Sequence, residues 1–254
     1  MSILDCIKTT GVQAPRITLY GKPGVGKTTL ANQFPQPVFI FTENPGITNL
    51  RGIDVSDNFE HAYKTIKELL ALEKLPFKTL IVDSLTRLDA LIVNYIISKE
   101  QNPKTATIAS SCGGYGKGYE RAEGIHMAFK AACDKFQERG VTVVYIAHTA
   151  LVKDRMPDTD DYQIHSIEMH HDKSRKVYIN DVDAVLFCRL RSFVDSTDGG
   201  KTLVRSTNDR VIVTGLNDIH VAKNRYSLPP ELPMDFAELE KHIPFYKQQK
   251  ETQK

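Results

Sequence analysis

Short runs that are apolar throughout alternate with longer stretches whose apolar residues recur at helical spacing. Arg16–Tyr20 (RITLY), Val38–Phe41 (VFIF), Thr79–Asp83 (TLIVD) and Val141–Ala147 (VTVVYIA) read as strands. Between them lie helical patterns. Lys27–Phe34 is stopped by Pro35 and Pro37, and Asp57–Leu72 carries Phe59, Ala62, Tyr63, Ile66, Leu69 and Leu70. Thr86–Lys99 carries Leu88, Leu91, Ile92, Tyr95 and Ile96, and Tyr119–Arg139 carries Ala122, Ile125, Phe129, Ala132 and Phe136. A strand without polar alternation must be covered on both faces. Strand and helix in strict alternation therefore predict a parallel sheet between two helix layers.

The later part of the chain changes character. Leu151–Lys176 is polar and reads as a long loop or flexible hairpin. Ala184–Leu190, Lys201–Ser206 and Val211–Thr214 read as strands, with Asp198-Gly199-Gly200 as a turn. Asp235–His242 reads as a short helix, and the polar tail Lys247–Lys254 is expected to fray. The whole is an α/β fold whose mostly parallel central sheet is flanked by helices and extended by C-terminal antiparallel strands. A single domain over 1–254 is expected, with its core at about 16–228.

Composition alters this picture little. With 254 residues, 41% hydrophobic and 25% charged, the chain can bury a full core. A net charge of +2 gives no global basic field, so any surface for nucleic acid has to be local. Cys6, Cys112, Cys133 and Cys188 contain no CxxC spacing, which points away from zinc or disulfide frameworks and toward a reducing cytoplasm. No apolar run approaches the ~18 residues of a membrane span, so no membrane partner is expected.

The chemistry starts where the first strand ends. Gly21-Lys22-Pro23-Gly24-Val25-Gly26-Lys27-Thr28 matches GxxxxGK[ST], and Thr29 follows it inside the helix. Glycines let the backbone curl so that its amides face phosphate, Lys27 reaches the β- and γ-phosphates, and Thr28 ligates Mg²⁺. ATP and Mg²⁺ are the expected cofactors. Asp83, closing the third strand, stands where a Walker B carboxylate holds the metal's water shell. A helix cap is its other reading, though Ser84 is better placed for that. Glu43, just past the second strand, could polarise the water that attacks the γ-phosphate, or be an ordinary solvated loop residue.

Walker A, a helix, a strand followed by Glu43, and a later Asp83 followed by Ser84 rather than Glu together resemble the RecA-type core, including replicative hexameric helicases. That resemblance implies roles for three further residues. His148, ending the fourth strand, would sense the γ-phosphate, against the alternative of a structural histidine. Lys223 and Arg225 would enter a neighbouring subunit's ATP site, against the alternative of a basic patch on an edge strand. Such a finger requires a head-to-tail ring or filament.

Two polar segments suit single-stranded DNA because glycine, tyrosine and cations interleave there. Ser98–Arg121 offers Tyr115, Lys117, Tyr119 and Arg121, and Leu151–Lys176 offers Lys153, Arg155, Lys173, Arg175 and Lys176. Both correspond to the DNA-binding loops of the RecA core; an ordinary surface loop is the alternative for each. His165, Glu168, His170 and His171 match none of the well-defined zinc signatures.

From Arg16 to Leu228 the chain resembles the phage-encoded, Sak-type RecA-core ATPases that anneal single strands, and Asn224-Arg225-Tyr226-Ser227-Leu228-Pro229 adds to the likeness. Membership implies a DNA-dependent ATPase that binds single-stranded DNA beside a single-strand-binding protein, in the cytoplasm of an infected bacterial host. A helicase-type motor or helicase loader is the rival reading. Another is an annealing protein that uses ATP only as a structural switch.

Overall fold

The computed structural model describes residues 11–44, 46–154, 161–196, 202–215 and 217–252. Its centre is a sheet of ten strands among the described residues. The parallel part comprises β1 (Arg16–Gly21), β2 (Pro37–Phe41), β3 (Gly52–Asp54), β4 (Thr79–Asp83) and β5 (Thr142–Asp154). Beyond it lie β6 (Tyr162–Ile167), β7 (Ala184–Ser196), β8 (Thr202–Val213), β9 (Lys223–Asn224) and β10 (Glu231–Pro233). The strand order is β10-β8-β7-β1-β5-β4-β2-β3, with β6 paired to β5 and β9 to β7. β7 lies parallel to β1, and β8 turns back antiparallel on it, so the C-terminal extension grows from the β1 side.

The apolar strands divide their residues between two cores. Val38, Ile40, Leu80, Val82, Val143 and Tyr145 face a layer that includes α2 (Phe59–Ala71), α3 (Leu85–Ser98) and α4 (Lys117–Glu138). The intervening Phe39, Ile81, Val144 and Ile146 face α1 (Lys27–Ala31), α6 (Phe236–Glu240) and α7 (Pro244–Thr252). Period-two alternation sends neighbours to opposite faces, so burying both faces leaves no polar position. Side chains of Asn58, Ser84 and Asp235 cap α2, α3 and α6, which fixes where each starts.

Three expectations change. Of the two readings of Leu151–Lys176, a long loop fails and a hairpin is present. β5 continues to Asp154, β6 pairs back on it, and α5 (Asp172–Asn180) follows, capped by His171. The two runs read as Lys201–Ser206 and Val211–Thr214 join, in their described part, into the single strand β8 (Thr202–Val213), because β8 keeps its pairing with β7 past a bulge at Leu190/Ser192. The turn Asp198-Gly199-Gly200 falls outside the described residues. The tail is helical through Thr252. Tyr246 is buried at its start, stacks edge-on against Phe236 and hydrogen-bonds Thr142, so packing holds a segment whose composition alone would fray.

Candidate nucleotide site

β1 ends at Gly21, and the chain curls through Lys22–Gly26 into α1. Gly24 (φ 75°) and Gly26 (φ 104°) take left-handed backbone that side chains resist. Gly21 lies so close to Cys188 on β7 that a Cβ would overlap the Cys188 carbonyl. Lys27 folds back over the curl, and its buried Nζ donates to the carbonyls of Gly21 (2.8 Å) and Lys22 (3.0 Å). Burial lowers its pKa, while Cys188, Asp83 and Glu43 act in the opposite direction. Thr29, next along α1, is exposed.

Thr28 Oγ1 donates to Asp83 Oδ2 at 2.8 Å. Burial at the end of β4 pushes the Asp83 carboxyl up, the Thr28 bond opposes this, and Glu43 adds to it. Ser84 caps α3 by accepting from the Arg87 amide, so Asp83 has no capping duty. A hydroxyl and a carboxylate brought together beside a phosphate curl are hard oxygen donors of the kind Mg²⁺ takes, and these residues fit that ion.

The sheet register gathers the remaining groups. Gly21 pairs with His148, Ile146 with Asp83, and Asp83 with Phe41, so β1, β4 and β2 end side by side around His148, which lies within β5 and not at its end as the sequence suggests, because β5 runs on to Asp154. Glu43, two residues past β2, brings Oε1 within 3.4 Å of His148 Nε2. Contact with His148 is the main cause holding the Glu43 carboxyl below its usual range, against partial burial. His148 Nδ1 is buried without a hydrogen-bond partner among the described residues. Sequence reasoning missed Thr86: its Oγ1 accepts from the His148 amide at 3.0 Å and donates to the Glu168 carbonyl at 3.1 Å. The Glu168 amide donates back to the His148 carbonyl, tying the exit of β6 to the middle of β5. The only sequence signal for Thr86 was a threonine at the very start of a helix, which reads as a weak surface residue.

Lys223 and Arg225 lie elsewhere. β9 pairs with the start of β7 (Asn224 opposite Ala184), whereas the phosphate curl adjoins Cys188. Lys223 Nζ donates to the Asn180 carbonyl, and Arg225 Nη1 meets Asp183 Oδ1 at 3.1 Å. Asp183 is itself held by the backbone and guanidinium of Arg16. The two cations therefore occupy the strand starts and stand apart from their own chain's curl.

The two segments read for DNA do meet. Tyr119 stacks on His171 with centroids 4.8 Å apart, and Lys173 lies 4.0 Å from Glu123. Tyr115 is fully exposed, Lys117 and Arg121 are exposed on α4, and Lys153 is exposed on β5 opposite Gln163. Lys176 pairs with Asp172, and Arg175 donates to the Ile167 carbonyl and Asp172 with only 12% of its side chain exposed. Arg155 lies outside the described residues. The four residues considered for a metal have separate partners: His165 stacks on Phe187, His170 meets Asp89, His171 meets Tyr119, and Glu168 bonds His148.

Arg210 on β8 is a further neighbour of the curl, with Nη1 3.1 Å from where a Gly26 Cβ would stand. No local motif announces it, because it arrives across the β7–β8 hairpin.

A sequence profile described as an AAA domain matches residues 13–226. No curated protein matches the sequence. Among solved structures, a KaiC-like protein from the hyperthermophilic archaeon Pyrococcus horikoshii OT3 aligns over 79% of each chain, with 13% identity and a TM-score of 0.36.

Proposed function

Since this chain belongs to the AAA domain family and is thus a P-loop ATPase, we propose that it hydrolyses ATP while acting on single-stranded DNA in recombination or annealing, assembled as a ring or filament. The observation carrying the reading is the Thr28–Asp83 pair beside the curl that holds Lys27. In use, Lys27 leaves the carbonyls of Gly21 and Lys22 and turns to the phosphates, which the curl's amides also receive. Thr28 and Asp83 hold magnesium, which supplies charge neutralisation at the phosphates when bound.

Glu43 is ionised at neutral pH because contact with His148 keeps its carboxyl low, so it orients and polarises the attacking water. His148 reads the nucleotide state and passes it through Thr86 and Glu168 to the β5–β6 hairpin. A strand would lie along Tyr115, Lys117, Tyr119, Arg121, Lys153, Lys173 and Lys176. The Tyr119–His171 stack supports a single surface made from both segments. Lys223 and Arg225, at the opposite end of the strands, serve the next subunit's site. A single-strand-binding protein is the expected companion.

The test is ATP turnover with and without single-stranded DNA, with oligomer size measured in parallel. Stimulated turnover together with a ring or filament supports the reading. Annealing without turnover replaces it with a nucleotide switch, and directional unwinding replaces it with a motor.

A further inference from the structure

α2, α3 and α4 enclose a groove of about 420 Å³ on the surface of their layer. It shares no residue with the phosphate curl, and none of Thr28, Asp83, Glu43 or His148 lines it. Arg121 is its one point in common with the surface proposed for a strand. Phe59, Tyr63 and Lys67 recur one turn apart along α2, so a single helix face forms one wall. Tyr95 comes from α3 and Arg121 from α4.

The floor is aromatic. Phe59 is 7% exposed and packs against Tyr63 and Tyr95, with ring centroids 5.8 and 5.5 Å away. The rim is basic. Lys64, Lys67 and Arg121 line it against one carboxylate, Glu60, which already meets Lys99 at 3.5 Å. Lys64 reaches Glu68 at 3.6 Å, but both side chains are mostly exposed and such a pair holds weakly. Lys67 and Arg121 have no ion-pair partner among the described residues. The whole chain carries only +2, so this excess of cations is local.

Rings beside cations suit either a nucleic-acid strand or an acidic peptide, and the placement of the lysines decides between them. Lys67 Nζ stands over the Tyr63 ring at 4.3 Å, and Lys99 Nζ over the Tyr95 ring at 4.8 Å. A base stacks on a free ring face, so here it would have to push a lysine off either tyrosine and forfeit the cation–π attraction. A carboxylate displaces nothing. An ammonium has three donors, and it can stay over the ring while giving one to an incoming oxygen. The rings' remaining apolar surface then suits a side chain that follows the carboxylate in.

We propose that this groove docks an acidic segment of a partner protein, with an aromatic side chain of that segment against Phe59, Tyr63 and Tyr95 and its neighbouring carboxylates on Lys64, Lys67 and Arg121. The proposal goes beyond the ATPase reading and does not require it.

The test titrates full-length protein with a fluorescein-labelled peptide that carries one phenylalanine between runs of glutamate. Its anisotropy should rise to saturation. Lys67→Glu should weaken binding by roughly tenfold or more, because it sets a carboxylate where the peptide brings its own. Ala128→Glu, on the α4 wall of the same groove, should give the same loss and covers the case in which Lys67→Glu folds poorly. Thermal unfolding and ATP turnover without peptide should stay at wild-type values in both variants. A peptide with glutamine in place of glutamate, and one with glycine in place of phenylalanine, should each bind more weakly than the parent. The proposal is overturned if the parent peptide does not bind, if it binds both variants as well as wild type, or if the glycine peptide binds equally well. It is also overturned if fluorescein-labelled oligothymidylate displaces the peptide and loses affinity in the same two variants, which would give the groove to a nucleic-acid strand.

Discussion

Glu43, just past β2, and His148, midway along β5, meet across 3.4 Å although the two strands are not neighbours in the sheet. β4, ending in Asp83, runs between them, so one carboxylate, one imidazole and the candidate metal ligand share a single edge. Glu43→Gln keeps the shape of the side chain but cannot accept a proton. ATP affinity should hold within a few-fold, and turnover should fall about 10²- to 10⁴-fold in single-turnover assays. Turnover at the wild-type rate would remove Glu43 from the reaction.

Thr86→Val removes the hydroxyl that bonds both His148 and Glu168. The His148 amide then loses its acceptor, at a cost of about 1–3 kcal/mol in denaturant unfolding. Basal turnover should survive while stimulation by single-stranded DNA is lost. Equal stimulation in the variant would show that the signal does not pass through this hydroxyl.

Asp89 joins three elements from a buried position on α3. It meets His126 Nε2 at 2.9 Å on α4 and His170 Nδ1 at 2.6 Å beyond β6. Burial pushes its carboxyl up, but the histidine contacts outweigh this and hold it below its ordinary 3.8. The sign follows: its contribution is present above the unfolded value and lost as pH falls through the folded one. Asp89→Asn should cost about 3 kcal/mol at neutral pH, and the deficit should shrink in acid. Urea midpoints measured across pH check this; a deficit independent of pH would contradict it.

Gly21→Ala sets a methyl against the Cys188 carbonyl, where two paired strands cannot separate without breaking the ladder. A loss of roughly 1–3 kcal/mol in thermal or denaturant unfolding is expected, with weaker nucleotide binding because the curl starts there. A variant as stable as wild type would mean that β7 can yield.

β1, β2, β4 and β5 were legible because burial on both faces writes itself as uninterrupted apolar sequence, whereas β3, three residues with exposed ends, was not. Walker A and Asp83 were legible because their spacing is local. Thr86, Asp89 and Arg210 were not, since each matters only through partners brought from β5–β6, α4 or the β7–β8 hairpin. α5 and β6 were hidden by polar composition: half-exposed elements of this kind draw their stability from tertiary contacts, such as those of Tyr178, the residue that α5 buries in the core. α7 was hidden for the same reason, its burial resting on Tyr246.

Arg225 is anchored to Asp183 at the strand starts, while the phosphate curl occupies the strand ends. Under the proposed head-to-tail arrangement, a molecule with its finger and its curl on opposite poles would count its own assemblies. Joined head to tail in an open row, the subunits always leave one terminal curl unserved. Closed into a ring they leave none. Activity per subunit would then rise with row length toward a plateau that a ring reaches at once, which makes turnover itself a gauge of how the subunits are arranged.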